Sequence, residues 1–420
     1  MTTRSVVLCK WQEELATALL ARGGPVHLVT DTLDRLASPS AEVLARCRSS
    51  HEVLSFDSVE QVASVAADLR LRHGGADVVL GHQEIAQSGA AHLASLLGIE
   101  PDPWAATGRR HKAAMKSLVA ERGVSTAGWT LVSATDPSAV VEAVTTAGLQ
   151  APWVLKPVLG FGSTNTVKAH DVEELAAAVT ELVPDPMLRS KALMVEEFVE
   201  GVEFAVDALW SAGEERYLVV HRYHDPRMTV GRPTATTMDG SLILSPDEHP
   251  DLYAEVRTMH RGINAGLGII EGPTHLEVFQ RPDGSLVFSE ISARIGGGWI
   301  PSMLSLHFGR SVWEMFADQA AYGQVDTATV ARPYLASVSL HPDGVGVVAS
   351  TPTDAELEAT PGVLSWTRVR GAGARARLQH ASDFYLHVIV EAGDEAQLLE
   401  RCRYVLENRR ILTDPVSVPG

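Results

Sequence analysis

The sequence predicts a multidomain protein of mixed α/β and α+β class, with a βα-rich parallel-sheet domain first and a mixed domain last. Three observations support this fold class. The chain has 420 residues, which is too long for one compact core and enough for about two to four domains. At the N-terminal end, short β-rich runs alternate with longer helical stretches, a pattern typical of a parallel sheet covered by helices. At the C-terminal end, the residues read as strands plus one helix, DEAQLLERCRYVLENRR.

The strands of the first domain are expected in four apolar runs, SVVLCK, PVHLVT, HEVLSF and ADVVLG. A helical run, IAQSGAAHLASLLG, follows them and ends at a glycine. The next segment, IEPDPWAATG, is rich in proline and glycine, which indicates a connection between domains. We therefore expect an N-terminal domain over 1–105, a middle region over 106–325 and a C-terminal α+β domain over 326–420.

Composition excludes several classes of protein. With 45% hydrophobic and 21% charged residues, the chain resembles an ordinary globular protein, and no apolar run approaches the roughly 20 residues of a membrane span. The N-terminus lacks the apolar segment of a secretory signal, so we expect a cytoplasmic protein. Cys9, Cys47 and Cys402 are far apart and form no CxxC pair, which disfavours disulfides and zinc. A formal net charge of −17 disfavours nucleic acid as a partner and favours a small molecule.

A glycine-bearing loop follows a strand in APWVLKPVLGFGSTNTVKA. The strand ends at Lys156, and Gly160, Gly162 and Ser163 come directly after it. Backbone N–H groups of such a loop can approach a phosphate closely, and the lysine adds a positive charge. The pattern is neither GxxxxGK[ST] nor GxGxxG. On these residues alone, a phosphate-binding loop and a plain hairpin with a glycine turn remain equal alternatives.

A second strand pair is expected in ALMVEEFVEGVEFAVDALW, where acids interrupt an apolar run. Backbone groups of 196–199 can hold a flat apolar base, and Glu203 can accept hydrogen bonds from ribose hydroxyls. Exposed acids on a hairpin are the alternative interpretation. Lys112, on a helix, is similarly either a phosphate ligand or a solvated lysine.

A hairpin is predicted in THLEVFQRPDGSLVFSEISARIGGG, and it contains two acids. If Asp283 and Gly284 are the central residues of a two-residue turn, the predicted cross-strand pairs are Pro282 with Ser285, Phe279 with Phe288, Glu277 with Glu290 and His275 with Ser292. Paired acids have Cβ atoms about 5 Å apart, so a cation is expected between them. A three-residue loop with a glycine bulge would instead shift the register by one and separate the acids. A four-residue loop would restore the pairing, and two solvated acids are a further alternative.

In this order and spacing, the motifs xKPxxGxGS, EEFxxGxEFxVD and HLEVF…SEISAR resemble the ATP-grasp superfamily over about residues 105–310. The resemblance is closest to the L-amino acid (dipeptide) ligases, and it implies an ATP-grasp fold with a lid subdomain at about 110–195. It implies ATP and Mg²⁺ as cofactors, with Mn²⁺ as a possible substitute. The implied contacts are Lys112 and Lys156 to phosphates, Gly160, Phe161, Gly162 and Ser163 above them, Glu196, Glu197, Phe198 and Val199 to adenine, Glu203 to ribose, and Glu277 and Glu290 to the metal.

One departure concerns the metal site. The superfamily commonly shows Glu-x-Asn-x-Arg, whereas here a hydroxyl, that of Ser292, stands where the asparagine amide would be a third ligand. Magnesium can complete its octahedron with water. Two residues further along the strand, Arg294 can bind a phosphoryl group bidentately and is the expected catalytic residue. His275, Gly297 and Trp299 are the expected substrate contacts. The alternatives are that His275 donates a hydrogen bond beside the metal site and that Trp299 belongs to a packed core turn.

The resemblance implies an ATP-dependent carbon–nitrogen ligase that joins an amino acid or related carboxylate to an amine through an acyl-phosphate, releasing ADP and phosphate. The expected partners are these small molecules, with neither nucleic acid nor membrane, and a homodimer is one candidate assembly. Two rival functions are an ATP-grasp carboxylase that activates bicarbonate and a nucleotide-binding regulator without turnover. The sequence contains no recognisable biotin-carrier segment, and the intact acids and Arg294 disfavour the regulator.

Overall fold

The structure is a computed structural model that describes residues 3–132, 136–182, 192–230, 233–376 and 384–414. Within these residues the strands form four sheets. The predicted combination of a parallel N-terminal sheet with antiparallel sheets is confirmed. Among the described helices, none is long and apolar enough to cross a membrane.

A four-stranded parallel sheet forms the N-terminal part, in the order β3-β2-β1-β4. Each of its strands overlaps one of the four predicted apolar runs, and helices pack on it as expected for a parallel sheet. In chain order the elements are β1 (Val6–Cys9), α1 (Glu13–Ala21), β2 (Val26–Asp31), a 3₁₀ helix (Asp34–Ala37), α2 (Ala41–Arg46), β3 (Ser49–Val53), α3 (Val59–His73), β4 (Val78–Gly81), a second 3₁₀ helix (Glu84–Ala86) and α4 (Gln87–Leu97).

An antiparallel sheet in the order β5-β8-β6-β7, which we call the lid sheet, lies largely within the interval expected to be a lid. Its helices bury their apolar sides in a separate small core with Trp153 and Leu155. The elements of this part are α5 (Pro103–Gly108), α6 (Lys112–Ala120), β5 (Trp129–Val132), α7 (Pro137–Ala147), β6 (Trp153–Pro157), β7 (Val167–Ala169), α8 (Val172–Leu182) and β8 (Leu193–Glu197).

The largest sheet, here called the central sheet, has eight strands in the order β13-β12-β9-β10-β11-β14-β18-β16. Both faces are covered, because Val206 and Trp210 of β9 lie in one core and Ala205 and Leu209 lie in another. The elements of the middle region are β9 (Val202–Ser211), β10 (Glu214–Tyr223), α9 (Arg227–Val230), β11 (Ser241–Ile243), α10 (Pro250–Leu267), β12 (Gly272–Gln280), β13 (Leu286–Ser292), α11 (Ile300–Phe308) and α12 (Val312–Tyr322).

The C-terminal residues continue the central sheet with three strands and add a small sheet, β17-β15-β19. Strands from both sides of the expected domain boundary near residue 325 therefore belong to one sheet. The C-terminal elements are β14 (Leu335–Leu340), β15 (Gly346–Ser350), α13 (Asp354–Glu358), β16 (Val363–Arg368), β17 (Arg375–Ala376), β18 (Leu386–Glu391), α14 (Glu395–Asn408) and β19 (Leu412–Asp414).

The turn between β12 and β13 differs from the two-residue turn considered first. Arg281 N–H donates to Ser285 C=O and Gly284 N–H donates to Arg281 C=O, both at 2.9 Å. The loop therefore contains three residues, 282–284, and Gly284 adopts a φ of 89°, as in a turn followed by a glycine bulge. Consequently the predicted pairs of Pro282 with Ser285 and of Phe279 with Phe288 are wrong.

A β-bulge further along the hairpin restores the register. Val278 pairs with Phe288 but Glu277 pairs with Glu290, so Ser289 is an extra residue in β13. The predicted pairs of Glu277 with Glu290 and of His275 with Ser292 are confirmed. Because of the bulge, Phe288 and Ile291 both point into the core, and Glu290 points to the opposite face of the sheet.

Two glycines with positive φ allow a matched test of the fold around the site. A Cβ at Gly240 would lie 2.1 Å from the backbone oxygen of Ser337, whereas a Cβ at Gly284 would meet nothing within 4 Å. We expect Gly284→Ala to cost about 1 kcal/mol for the backbone conformation alone. Gly240→Ala must also displace a strand, so its melting temperature should fall much further. Equal losses in thermal unfolding would contradict the close approach of Gly240 to β14.

Candidate active site

Two adjoining cavities lie on one face of the central sheet. The first is a narrow cleft beneath the lid sheet, and the second, of about 550 Å³, extends toward the N-terminal sheet. We call them the cleft and the large cavity. Their common lining residues are Lys112, Phe161, Arg227, Glu277 and Glu290.

The register of the central sheet brings the acids to this face. Glu277 lies opposite Glu290 on β13 and opposite Ala205 on β9. Residues directly opposite each other share a sheet face, and side chains two positions apart on one strand also share a face. Glu203 and Asp207 lie two residues before and after Ala205 on β9, so they lie on the same face as Glu277 and Glu290.

Glu277 and Glu290 have different partners. Lys112 Nζ lies 2.8 Å from Glu290 Oε2, and Tyr223 donates its hydroxyl to Glu277 Oε1 at 3.3 Å. Burial would raise the pKa of Glu290, but the charges of Lys112 and Lys156 outweigh burial and lower that pKa. Both acids line the shared wall of the two cavities, and the lysines favour the ionised form of Glu290.

A buried Asp207–His275 pair lies beside Glu277. His275 Nδ1 lies 3.1 Å from Asp207 Oδ1 and His275 Nε2 lies 3.8 Å from Glu277 Oε1. Burial opposes protonation of His275, but the charge of Asp207, the hydrogen bond to Asp207 and the nearby carboxylate of Glu277 raise its pKa to about 10. The surroundings therefore favour a protonated imidazole between the two acids, and His275 also lines the large cavity.

Lys156 and Glu196 form part of a buried ion triad under the lid sheet. Lys156 Nζ contacts Glu196 Oε1, and Lys116 Nζ lies 3.0 Å from Glu196 Oε2. Burial opposes ionisation of Glu196, yet the two lysines lower its pKa. The same carboxylate raises the pKa of Lys156, although burial acts against it.

Lys116 was not singled out by the sequence analysis. It is only 1% exposed and follows Lys112 by four residues, on the same helix face. Burial lowers the pKa of Lys116, and Glu196 opposes this effect.

The glycine loop connects the cleft to α6. Lys112 Nζ donates to Gly160 C=O at 3.0 Å, and Arg110 Nη1 donates to the same oxygen at 2.9 Å. Gly160, Phe161 and Ser163 line the cleft, while Phe161 and Gly162 line the large cavity. The loop therefore lies above the point where the two cavities meet.

The residues expected near a nucleotide base line the other end of the cleft. Glu197, Phe198, Val199 and Glu203 are part of its wall, and the ammonium of Lys168 lies 3.5 Å from the ring centre of Phe198. Glu203 accepts a hydrogen bond from the Arg227 backbone N–H at 2.7 Å. Burial and the nearby charge of Glu277 raise the pKa of Glu203.

A carboxylate from the N-terminal part, Glu84, was missed by the sequence reasoning. Arg294 Nε donates to Glu84 Oε2 at 2.8 Å, the Ser292 hydroxyl donates to the same oxygen, and Arg110 Nη1 lies 3.2 Å from Glu84 Oε1. Burial opposes ionisation of Glu84, but Arg294, Arg110 and Lys112 lower its pKa. The available signal was its position just after β4, because ligands of parallel sheets bind beyond the carboxyl ends of the strands.

Arg294, Gly297 and Trp299 line the large cavity, as does Ser292. Arg294 is oriented by Glu84 and by a second hydrogen bond from Nη1 to Ile295 C=O at 2.9 Å. Trp299 is only 5% exposed and packs edge-on to Phe384 with ring centres 6.0 Å apart. Trp299 is thus both a core residue and a wall of the cavity.

A family model described as an ATP-grasp domain matches residues 149–302. The whole chain also superposes on the crystal structure of L-amino acid ligase from Bacillus licheniformis, with a TM-score of 0.74 and 18% identity over 99% of this chain and 100% of that one. Residues 149–302 thus resemble an ATP-grasp domain. The resemblance inferred from the sequence and the predicted fold class are therefore confirmed.

The other proteins similar to this chain include a ligase and a carboxylase domain. A curated relative, the L-arginine-specific L-amino acid ligase of Bacillus subtilis, is 30% identical over 218 residues, which are 50% of this chain and 49% of the relative. The match thus spans about half the length of that relative. The biotin carboxylase domain of Hydrogenobacter thermophilus 2-oxoglutarate carboxylase aligns with a TM-score of 0.65 and 14% identity, over 98% of this chain and 91% of that one. At 14 and 18% identity, the two structural likenesses show the fold alone.

The buried ion triad of Lys116, Lys156 and Glu196 can be tested by measuring the free energy of unfolding. Lys116→Met should leave Glu196 buried with one partner and cost about 1–3 kcal/mol in chemical denaturation. Its effect should be strongly non-additive with that of Glu196→Gln, because the two side chains share one network. Arg122→Met, a change at an exposed position, should alter stability by no more than about 0.5 kcal/mol. Additive losses from Lys116→Met and Glu196→Gln would contradict the triad.

Proposed function

We propose that this chain is an ATP-dependent, ADP-forming carboxylate–amine ligase that joins an amino acid or related carboxylate to an amine. The observation that carries the proposal is the shared wall of the two cavities. Lys112, Glu277 and Glu290 face both the cleft suited to a nucleotide and the large cavity suited to a second substrate. A phosphate held in one cavity and a carboxylate held in the other would meet at these residues.

The relatives support the same class of reaction. A relative with 30% identity is named an L-amino acid ligase, and so is the Bacillus licheniformis protein with the same fold. We extend from them only the reaction class and not the arginine specificity. The substrates proposed here are small molecules, the proposed location is the cytoplasm, and a homodimer is the assembly to test.

In the first step, a substrate carboxylate oxygen attacks the γ-phosphorus of ATP. One O–P bond forms, the bond to the β-phosphate oxygen breaks, and ADP leaves with the electron pair. Lys112 and Lys156 would offset the growing negative charge because both line the cleft. Gly160 and Ser163 would place backbone N–H groups over the phosphates.

In the second step, the amine attacks the acyl-phosphate carbonyl and phosphate leaves. Arg294, held in place by Glu84, would stabilise the oxyanion and the departing phosphate. Closure of the lid sheet would keep water from hydrolysing the acyl-phosphate.

The residues present fit a divalent cation between the two acids. Glu277 and Glu290 are cross-strand neighbours that line both cavities, and magnesium is bound by one or two carboxylates together with phosphates and water. When bound, Mg²⁺ or Mn²⁺ would offset negative charge on the phosphates. Ser292 remains a proposed third ligand, although its hydroxyl proton is donated to Glu84.

The reaction class is tested by measuring ADP and phosphate release over a panel of amino acids, with hydroxylamine added to trap an acyl-phosphate as a hydroxamate. A ligase should release ADP and phosphate only with a carboxylate substrate present and should form the hydroxamate. ATP turnover that requires bicarbonate and no amino acid would identify a carboxylase instead. Tight ADP binding without turnover on any substrate would favour a regulator.

Glu290→Gln separates nucleotide binding from catalysis. The variant should keep ADP affinity within a few-fold in calorimetry but lose at least about 100-fold in phosphate release, because an acid of the reacting site is neutralised. Glu214→Gln, an equivalent change at the exposed start of β10, should leave both measurements unchanged. Near-normal turnover of Glu290→Gln at saturating Mg²⁺ would exclude the metal role.

A further inference from the structure

Arg227 lies at the junction of the two cavities and was not singled out by the sequence. Of the five residues that line both cavities, two are acids and two, Lys112 and Arg227, are cations. A phosphoryl group that moves from ATP in the cleft to a carboxylate in the large cavity must pass this shared wall.

Buried contacts fix Arg227 from three sides. Its backbone N–H donates to Glu203 at 2.7 Å, and its Nη1 donates to Asp239 Oδ1 at 2.6 Å. Asp239 is fully buried, and His341 Nε2 lies 2.9 Å from its other oxygen. The Arg227 guanidinium carbon lies 5.3 Å from the ring centre of Tyr223. These contacts leave the guanidinium little freedom to turn.

The same contacts leave part of the guanidinium open to the cavities. The Arg227 side chain is 13% exposed, whereas that of Asp239 is 0% exposed. Arginine has five N–H donors, and within the described residues Nη1 is the one guanidinium nitrogen with a side-chain hydrogen bond. Donors therefore remain for an anion at the shared wall.

Two other cations nearby each have two polar partners. Lys112 contacts Glu290 and Gly160, and Arg294 contacts Glu84 and Ile295. Arg227 differs because, within the described residues, its guanidinium pairs with one carboxylate, Asp239, which is 0% exposed and lines neither cavity.

We infer that Arg227 is a second catalytic guanidinium, which binds the γ-phosphoryl group while it is transferred from ATP to the substrate carboxylate. This inference rests on the proposed ligase function. Arg227 would hold oxygens of the phosphoryl group by hydrogen bonds and exchange no proton, because guanidinium stays protonated. The bond changes are those of the first step above. The effect should be strongest in the transition state, where the transferring group needs the most stabilisation.

The test uses Arg227→Gln, with Arg222→Gln as the matched control. Arg222 is on β10, lines neither cavity among the described residues, and pairs with Glu395 at 2.6 Å. The first readout is calorimetric binding of MgADP alone and of MgADP with aluminium fluoride, which imitates a transferring phosphoryl group. The second readout is hydroxamate formation with the best amino acid from the panel.

Arg227→Gln should bind MgADP within about threefold of the parent protein. It should lose at least about 100-fold in affinity for MgADP with aluminium fluoride and in hydroxamate formation, as for removal of one transition-state donor. Arg222→Gln should match the parent protein in both readouts. Arg227→Lys keeps the charge that faces Asp239 and should fold normally, yet it should recover only part of the loss.

Four results would overturn the inference. One is turnover of folded Arg227→Gln within about threefold of the parent protein. Another is an equal loss of MgADP affinity with and without fluoride, which would assign Arg227 to positioning Glu203 and the nucleotide. If Arg227→Gln does not fold, full activity of Arg227→Lys would show that only the charge beside Asp239 matters. A parent protein that forms no hydroxamate with any amino acid would overturn the ligase function and this inference together.

Discussion

The site depends on one electrostatic constraint, which is that two acids are fixed side by side on the same face of a sheet. Like charges directly opposite each other repel, so Glu277 and Glu290 require compensating cations. Different elements supply them, since Lys112 comes from α6 and His275, held by Asp207, comes from β12 itself. Glu84 and Glu196 repeat the arrangement, each placed between basic side chains from separate segments.

Such buried charge networks contribute little to stability. Removing charges from water costs several kcal/mol per ion, and the attraction between them often only offsets that cost. A chain selected for stability alone would place apolar residues here. The ordered alternation of acids and bases instead suits the charges of the proposed nucleotide and metal, whose binding would need little reorganisation.

Local patterns in the sequence were sufficient for the fold class, the strands and most of the lining of the cleft, because glycine loops and alternating strands are short-range signals. The two-residue turn considered first was wrong, and the three-residue loop with a glycine bulge is the alternative that the structure contains. The extra residue at Ser289, which restores the pairs of Glu277 with Glu290 and of His275 with Ser292, has no signature in the sequence. Glu84 and Arg294 are 210 positions apart, and Arg227 reaches Asp239 only because a loop folds back. Contacts of this kind depend on tertiary packing, which single-residue patterns do not encode. The same limit explains Lys116, whose burial depends on what packs against α6.

The separate core beneath the lid sheet has an energetic consequence. That core contains none of the residues of the two large cores. Between the lid sheet and α6, the described residues form a small apolar cluster of Ala113, Val158 and Met194, with Trp129, Leu159 and Ala192 partly buried against it. Polar contacts come from Arg110, Lys112 and Lys116. Moving the lid sheet away would therefore expose little apolar area and would leave the main cores intact, so the motion belongs to the low-energy fluctuations of the folded state. The free energy of that motion depends largely on these ion pairs and hydrogen bonds, so it changes with the charge of the ligand in the cleft.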